Sequence, residues 1–96
     1  MEKVHRSRRA SRDLEQIVSY IAADNLAAAL RWIADMTKLF ELFSKQPFLG
    51  QSIQTRRHGS LRRITRGNYV VYYRPVSGGI HVVRVYHGAR DPDQLL

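Results

Sequence analysis

The sequence predicts an α+β domain, an N-terminal helical hairpin packed on one face of a small antiparallel sheet in the order β-α-α-β-β-β. Three observations carry that expectation. Apolar residues recur at spacings of three and four through the first half; after Gly50 the composition turns to β-branched and aromatic residues in runs of strand length; and those runs are joined by short turns, which only antiparallel neighbours allow. With 96 residues, 44% of them hydrophobic, the chain reads as one domain spanning 1–96. So small a domain buries only about 60–65% of the surface its unfolded form exposes, which points to a function carried on the surface rather than in an enclosed active site.

Taken in order, residues 3–6 form a short candidate strand with Val4 as its only strong apolar residue. From about Arg9, Ala10, Leu14, Ile17, Val18 and Ile21 lie on one stripe of an amphipathic helix, with Asp13 and Glu15 near its positive N-terminal end. Asp24-Asn25 breaks that helix. Asn25 can cap a second one, whose apolar set Ala29, Trp32, Ile33, Met36, Phe40 and Phe43 again runs at spacings of three and four. Gln46-Pro47 stops it, because the residue before proline disfavours helical geometry. Residues 61–66 and 69–74 then read as a hairpin around Gly67-Asn68, glycine standing first as a type II′ turn requires. Residues 75–79 make the next turn, so that Gly78-Gly79 is turn chemistry and not a phosphate loop, and 80–86 form the last strand.

Charge is distributed unevenly along the chain. Residues 1–50 hold eight bases and six acids, whereas 51–96 hold eight arginines (Arg56, Arg57, Arg62, Arg63, Arg66, Arg74, Arg84, Arg90) against Asp91 and Asp93, within a formal total of +8. Thirteen of the 16 bases are arginine, whose planar fork binds phosphates and carboxylates in two-point fashion, so an anionic partner is implied, either nucleic acid or an acidic protein segment. The absence of cysteine excludes disulfides, thiolate nucleophiles and cysteine-based zinc sites, and suits a reducing cytoplasm. The longest apolar run, 26–30, is far shorter than the roughly 18–20 residues of a membrane span, so export and membrane insertion are not expected.

The side chains that could carry chemistry are few. His5, His58, His81 and His87 show no metal-ligand spacing, no Ser-His-Asp arrangement or paired carboxylate is legible, and no metal or cofactor is expected. His81 and His87 stand six apart, which on a regular strand places them on the same face as Val83 and Val85. His87, at the strand end beside Gly88, Arg90 and Asp91, is the histidine placed for a functional role. Tyr69, Tyr72, Tyr73 and Tyr86 lie on arginine-bearing strands, the ingredients of a base-stacking surface as well as ordinary residues of a half-buried sheet.

Leu61-Arg62-Arg63-Ile64, then Gly67-Asn68-Tyr69-Val70-Val71-Tyr72-Tyr73-Arg74, then Val82-Val83-Arg84-Val85-Tyr86-His87-Gly88-Ala89-Arg90-Asp91 strongly resemble the ParE branch of the RelE/ParE toxin superfamily. Ala10 with Asp13-Leu14 and Ile17, Tyr20-Ile21-Ala22, Asp24-Asn25, Ala28-Ala29, and Leu42 leading to Pro47 and Leu49-Gly50 extend the resemblance over nearly the whole chain. It implies the toxin of a type II toxin-antitoxin module, a small cytoplasmic protein silenced by a cognate ParD-like antitoxin that is acidic and folds on binding. ParE-like members bind and poison DNA gyrase, whereas RelE-like members cut mRNA in the ribosome.

For the nuclease alternative, Arg63, His87 and Arg90 are the candidate catalytic residues. Many nuclease members, however, carry an arginine where this chain has Val70 and an acid-base residue near the C-terminus, where it has Asp93-Gln94-Leu95-Leu96. The resemblance therefore implies a binding inhibitor without cofactor. Its expected target surface is Arg62, Arg63, Arg84, His87 and Arg90, its expected antitoxin contacts are Trp32, Met36, Arg56, Arg57 and Arg74, and it is expected to reach DNA only through the antitoxin complex. Arg84 pairing with Asp91 or Asp13, and Trp32, Met36 and Phe40 serving as core, are the structural roles to weigh against these. A plain nucleic-acid-binding module is the third class, and it predicts direct, steeply salt-dependent DNA binding.

Overall fold

The computed structural model describes residues 3–88 and 95–96. The elements follow as β1 (Lys3–Arg6), α1 (Arg8–Asp24), α2 (Leu26–Lys45), β2 (Gln51–Thr55), β3 (Gly59–Arg66), β4 (Tyr69–Val76) and β5 (Gly79–His87). The strands form one sheet in the order β1-β5-β4-β3-β2, and both helices pack on one of its faces. The expected α+β architecture is present, with one added strand, β2, and one difference in pairing, at β1. β2, an edge strand whose single strong apolar residue is Ile53, pairs antiparallel with β3; its composition carries almost no strand signal, and its pairing is backbone hydrogen bonding. β1 joins the opposite edge parallel to β5, so the sheet is mixed.

Each helix begins as its local chemistry dictates. Ser7 Oγ accepts the Ala10 N–H at 2.9 Å and donates to the Val83 carbonyl at 2.7 Å, so the cap of α1 also moors the helix to β5. Asn25 closes α1 by donating its N–H to Ile21 O at 2.8 Å and opens α2 by accepting the Ala28 N–H at 3.0 Å. A single residue thus makes the joint of the hairpin. Its buried side supplies Ala10, Leu14, Met36, Leu39, Phe40 and Phe43, which pack on Val71, Tyr73, Ile80, Val82 and Val85 of the sheet. A second, smaller cluster lies on the other face, where Leu61, Val70, Tyr72 and Val83 receive Leu96.

The turns match their glycines. Gly67 has φ +58° and no non-glycine residue has positive φ among the described residues, which leaves Asn68 at negative φ, as in a type II′ turn. The β4–β5 connection is shorter than the expected 75–79: Pro75 pairs with Ile80 and Val76 with Gly79, leaving Ser77 and Gly78 as the loop. Pro75 is tolerated there because β3 pairs with β4 no further than Tyr73, and its missing N–H has no ladder partner to lose.

An irregularity in β5 sets the faces of the last strand. Tyr72 pairs with Arg84 but Tyr73 with Val82, so Val83 is an inserted residue, a β-bulge. Val82 and Val85 therefore face the helices while Val83 faces the opposite cluster. The expectation that His81, Val83, Val85 and His87 share one face is overturned by this bulge, since regular alternation fails across it. Beyond Val82, β5 has no β1 neighbour, and the start of α1 covers that stretch of edge instead.

Candidate functional site

Arginine placement follows from sheet alternation and from where the hairpin supplies acids. On β3, Arg62 and Arg66 point to the helix side. Arg62 donates to the carbonyls of Phe48 at 3.0 Å and Gly50 at 2.7 Å, its guanidinium lying 5.0 Å from the Phe48 ring centre, so it clamps the segment leaving α2. Arg66 forms a two-point pair with Asp35 of α2 at 3.0 and 2.7 Å. That contact holds the Asp35 carboxyl below its ordinary range, with the hydrogen bond as the largest cause.

On the opposite face, Gln51, Arg63, Tyr72 and Arg84 occupy one row of laterally paired residues from β2 to β5. Arg63 donates to Gln51 Oε1 at 2.6 Å. Arg84 donates to Asp13 through Nε at 2.8 Å and Nη2 at 3.1 Å, and its guanidinium lies 4.4 Å from the Tyr86 ring centre. The same Asp13 carboxylate accepts the Val85 N–H at 3.0 Å. Asp13 therefore does not serve the helix N-terminus as expected. It closes the open edge of β5 and neutralises Arg84, because the sixth position of α1 faces the sheet rather than the first turn. A sequence signal existed: an acid beside the apolar stripe of Ala10, Leu14 and Ile17 implies a cation waiting inside.

A third region collects aromatic side chains at one end of the molecule. Tyr69 lies between Trp32, 5.0 Å away between ring centres, and His87, 5.3 Å away and edge-on. Gln16, Ile17, Tyr20, Tyr69 and His87 line a shallow cavity of about 340 Å³. Tyr20, which was not among the expected contact residues, is 82% exposed there. Leu26 and Leu30, one helical turn apart on α2, are also exposed, as are Phe48 and Leu49 beyond its far end. Met36 has no exposed surface and sits in the main core, so no partner reaches it while α2 is packed. Its placement among the antitoxin contacts is corrected on that ground, since its helical spacing with Phe40 and Phe43 is that of the buried stripe.

Arg56 and Arg57 are exposed on the turn between β2 and β3, and Arg74 is half-buried next to them. Arg74 Nη2 reaches the His58 carbonyl at 3.3 Å, while its Nε is buried without a hydrogen-bond acceptor. Burial and then Arg74, Arg57 and Arg84 push the His58 imidazole below its ordinary range. Arg90, with the rest of 89–94, lies outside the described residues. The expected target set is thus not one cluster: Arg62 faces the helices, Arg63 and Arg84 the opposite side, and His87 the aromatic end. No helix among the described residues is long and apolar enough to cross a membrane.

Residues 4–92 match the family model described as the ParE toxin of the type II toxin-antitoxin system, parDE. Among solved structures, a chain from the chromosomal ParDE TA system of P. aeruginosa superposes with a TM-score of 0.70 at 20% identity, covering 91% of this chain and 96% of that one. No curated protein matches the sequence.

Proposed function

The chain belongs to the ParE toxin family, and from that premise we propose that it is the toxin of a type II module which arrests growth by binding DNA gyrase and is silenced by a cognate acidic antitoxin. The family match over residues 4–92 carries this reading. The site chemistry supports inhibition by binding rather than by RNA cleavage. Val70 is 8% exposed within the second cluster, so no cation stands there to stabilise a phosphorane, and Arg84 in the neighbouring row is neutralised by Asp13.

Two kinds of surface serve the two partners. Of the expected target residues, Arg63 on the face away from the helices and His87 at the aromatic end are retained as two separate candidate contacts, together with Arg90, while Arg62 and Arg84 act by holding the fold. Exposed Leu26, Leu30 and Tyr20 on the hairpin offer apolar anchors to the antitoxin, with Trp32 half-buried behind them, and Arg56, Arg57 and Arg74 offer cations to its acids. DNA is reached through the antitoxin complex.

Controlled expression in a bacterial host tests the module. Induction is expected to abolish colony formation while bulk mRNA stays uncut, and co-expression of a cognate ParD-like antitoxin is expected to restore growth. Unaltered growth on induction, or codon-phased mRNA cuts, would overturn the reading, the latter in favour of an endoribonuclease using Arg63, His87 and Arg90.

A further inference from the structure

We propose that Phe48 and Leu49, carried between α2 and β2, form an apolar knob that docks into a preformed pocket of the folded protein this toxin arrests. The knob deepens the toxin reading above, on which it rests, by adding a target contact that the charge pattern does not mark. Phe48 is 70% exposed and Leu49 56%, on a segment whose main chain is fixed. The Leu49 N–H donates to Gln46 O at 3.2 Å, and the Gly50 N–H to Tyr73 Oη at 2.9 Å. Tyr73 Oη donates to Pro47 O at 2.7 Å, while Arg62 Nη1 donates to Phe48 O at 3.0 Å and to Gly50 O at 2.7 Å.

The anchors of this segment belong to the core. Tyr73 is fully buried, with its ring edge-on to Phe43, and Gly50 is pressed so close that a methyl group there would stand 2.5 Å from the Tyr73 oxygen. Arg62 steadies the side chain as well as the main chain, since its guanidinium lies 5.0 Å from the Phe48 ring centre. A surface connection needs none of this to keep an apolar ring in water, where burial would be favourable. What the bonds do achieve is pre-organisation: a fixed backbone and a steadied ring have little freedom left to lose on association, the condition under which one exposed aromatic carries a large share of an interface. Leu42, in the last turn of α2, adds a third exposed apolar side chain at this end of the helix.

The shape selects the partner. A knob calls for a pocket that exists before contact, which a folded protein has and an antitoxin segment that orders only on binding does not. The antitoxin anchors proposed above also lie at the other end of α2: Leu26 and Leu42 are 16 residues apart, about 24 Å along the helix axis. Nucleic acid is disfavoured because neighbouring cations are spent, Arg62 on carbonyls and Arg66 on Asp35. Lys45, exposed in the last turn of α2, suits a carboxylate on the rim of the pocket. Arg63 bonds Gln51, the residue after Gly50, which brings one of the retained target contacts to the same margin of the sheet.

The test titrates the full chain, Phe48→Ala and Leu49→Ala against purified gyrase on relaxed plasmid, and induces each in a bacterial host at matched protein level. Half-inhibition of supercoiling is expected to need at least about tenfold more Phe48→Ala and about threefold more Leu49→Ala than wild type, with growth arrest weakened in the same order. Arg31→Gln, on the exposed face of α2, is expected to act like wild type. Both alanine variants should melt within about 5 °C of wild type, because neither side chain is in the core. Leu49→Ala, which leaves the Arg62–Phe48 contact intact, keeps the test decisive should Phe48→Ala disturb the fold. Inhibition and arrest at wild-type strength in both variants would overturn the knob and leave the gyrase reading standing. Arrest weakened in both variants of a chain that never touches supercoiling would sink the gyrase reading alone and direct the knob to another folded target. A wild-type chain that neither arrests growth nor inhibits gyrase overturns both. Full arrest by Phe48→Ala that a cognate ParD-like antitoxin no longer relieves gives the knob to the antitoxin, and a wild-type dimer that Phe48→Ala abolishes, with arrest intact, gives it to a second copy; either result overturns the proposal.

Discussion

Removing the Asp13 carboxylate strands two groups at once. Arg84 loses both bonds, at 2.8 and 3.1 Å, and the Val85 N–H loses its 3.0 Å acceptor on a strand edge that β1 does not reach. The side chains of Arg84 and Asp13 are 18% and 12% exposed, so little water is at hand to replace what is lost. Breaking one partner out of a fully buried ion pair costs about 3–5 kcal/mol, which the residual exposure reduces here to about 2–3 kcal/mol. The orphaned amide adds about 1 kcal/mol. Asp13→Ala is therefore expected to lose about 3–4 kcal/mol, a third or more of the stability of a typical domain of this size, and to melt about 12–30 °C lower. The assay is urea unfolding followed by the fluorescence of Trp32, the only tryptophan, with far-ultraviolet circular dichroism as the second probe. Because much of the loss comes from the stranded cation, Asp13→Ala combined with Arg84→Met should recover part of it. A loss under about 1 kcal/mol, or a double variant no more stable than the single one, would refute the reasoning.

Three further outcomes follow from local geometry. The Tyr73 hydroxyl donates to Pro47 O at 2.7 Å and accepts the Gly50 N–H at 2.9 Å, so Tyr73→Phe should cost about 1–3 kcal/mol and speed amide exchange at Gly50; unchanged exchange would show that the hydroxyl does not hold this segment. A methyl group on Gly79 would stand 1.8 Å from Lys3 O, and Gly79→Ala should detach β1, which loss of amide protection in residues 4–6 would report while the α1 and β4 amides keep theirs. His58, depressed in the folded chain, binds its proton less readily there than when unfolded, so stability rises with pH through the window between its lowered value and the ordinary 6.5. Wild type should lose more stability than His58→Gln between pH 7 and pH 5.5, and parallel losses would exclude His58 as the cause.

Much of the fold was legible because its signals are local. Asn25 between two apolar stripes, Pro47 after the second, and glycine at the first turn position of Gly67-Asn68 each act within a few residues. β2 was not legible, since an edge strand reading Gln-Ser-Ile-Gln-Thr is held by the backbone of β3 and asks little of its side chains. Nor was the bulge at Val83, which separates His81 from His87 and has no signature in a run of valines. The candidate site suffered from the same limit. Eight arginines in the second half were visible as a charge excess, but which of them keep their charge for a partner depends on acids of the first half. Asp13 and Asp35 meet Arg84 and Arg66 only after the hairpin folds onto the sheet. Arg57, His58 and Arg74 likewise meet only through the β2–β3 turn and its packing against β4.

The central claim is inhibition of gyrase by binding, and supercoiling by purified gyrase tests it most directly, with relaxed plasmid, increasing amounts of this protein, and programmed ribosomes run in parallel on the same preparation. Loss of supercoiling or accumulation of cleaved plasmid is expected at protein amounts that leave ribosome-bound mRNA intact. Full supercoiling at every amount together with codon-phased mRNA cuts would contradict it, and would favour the endoribonuclease alternative.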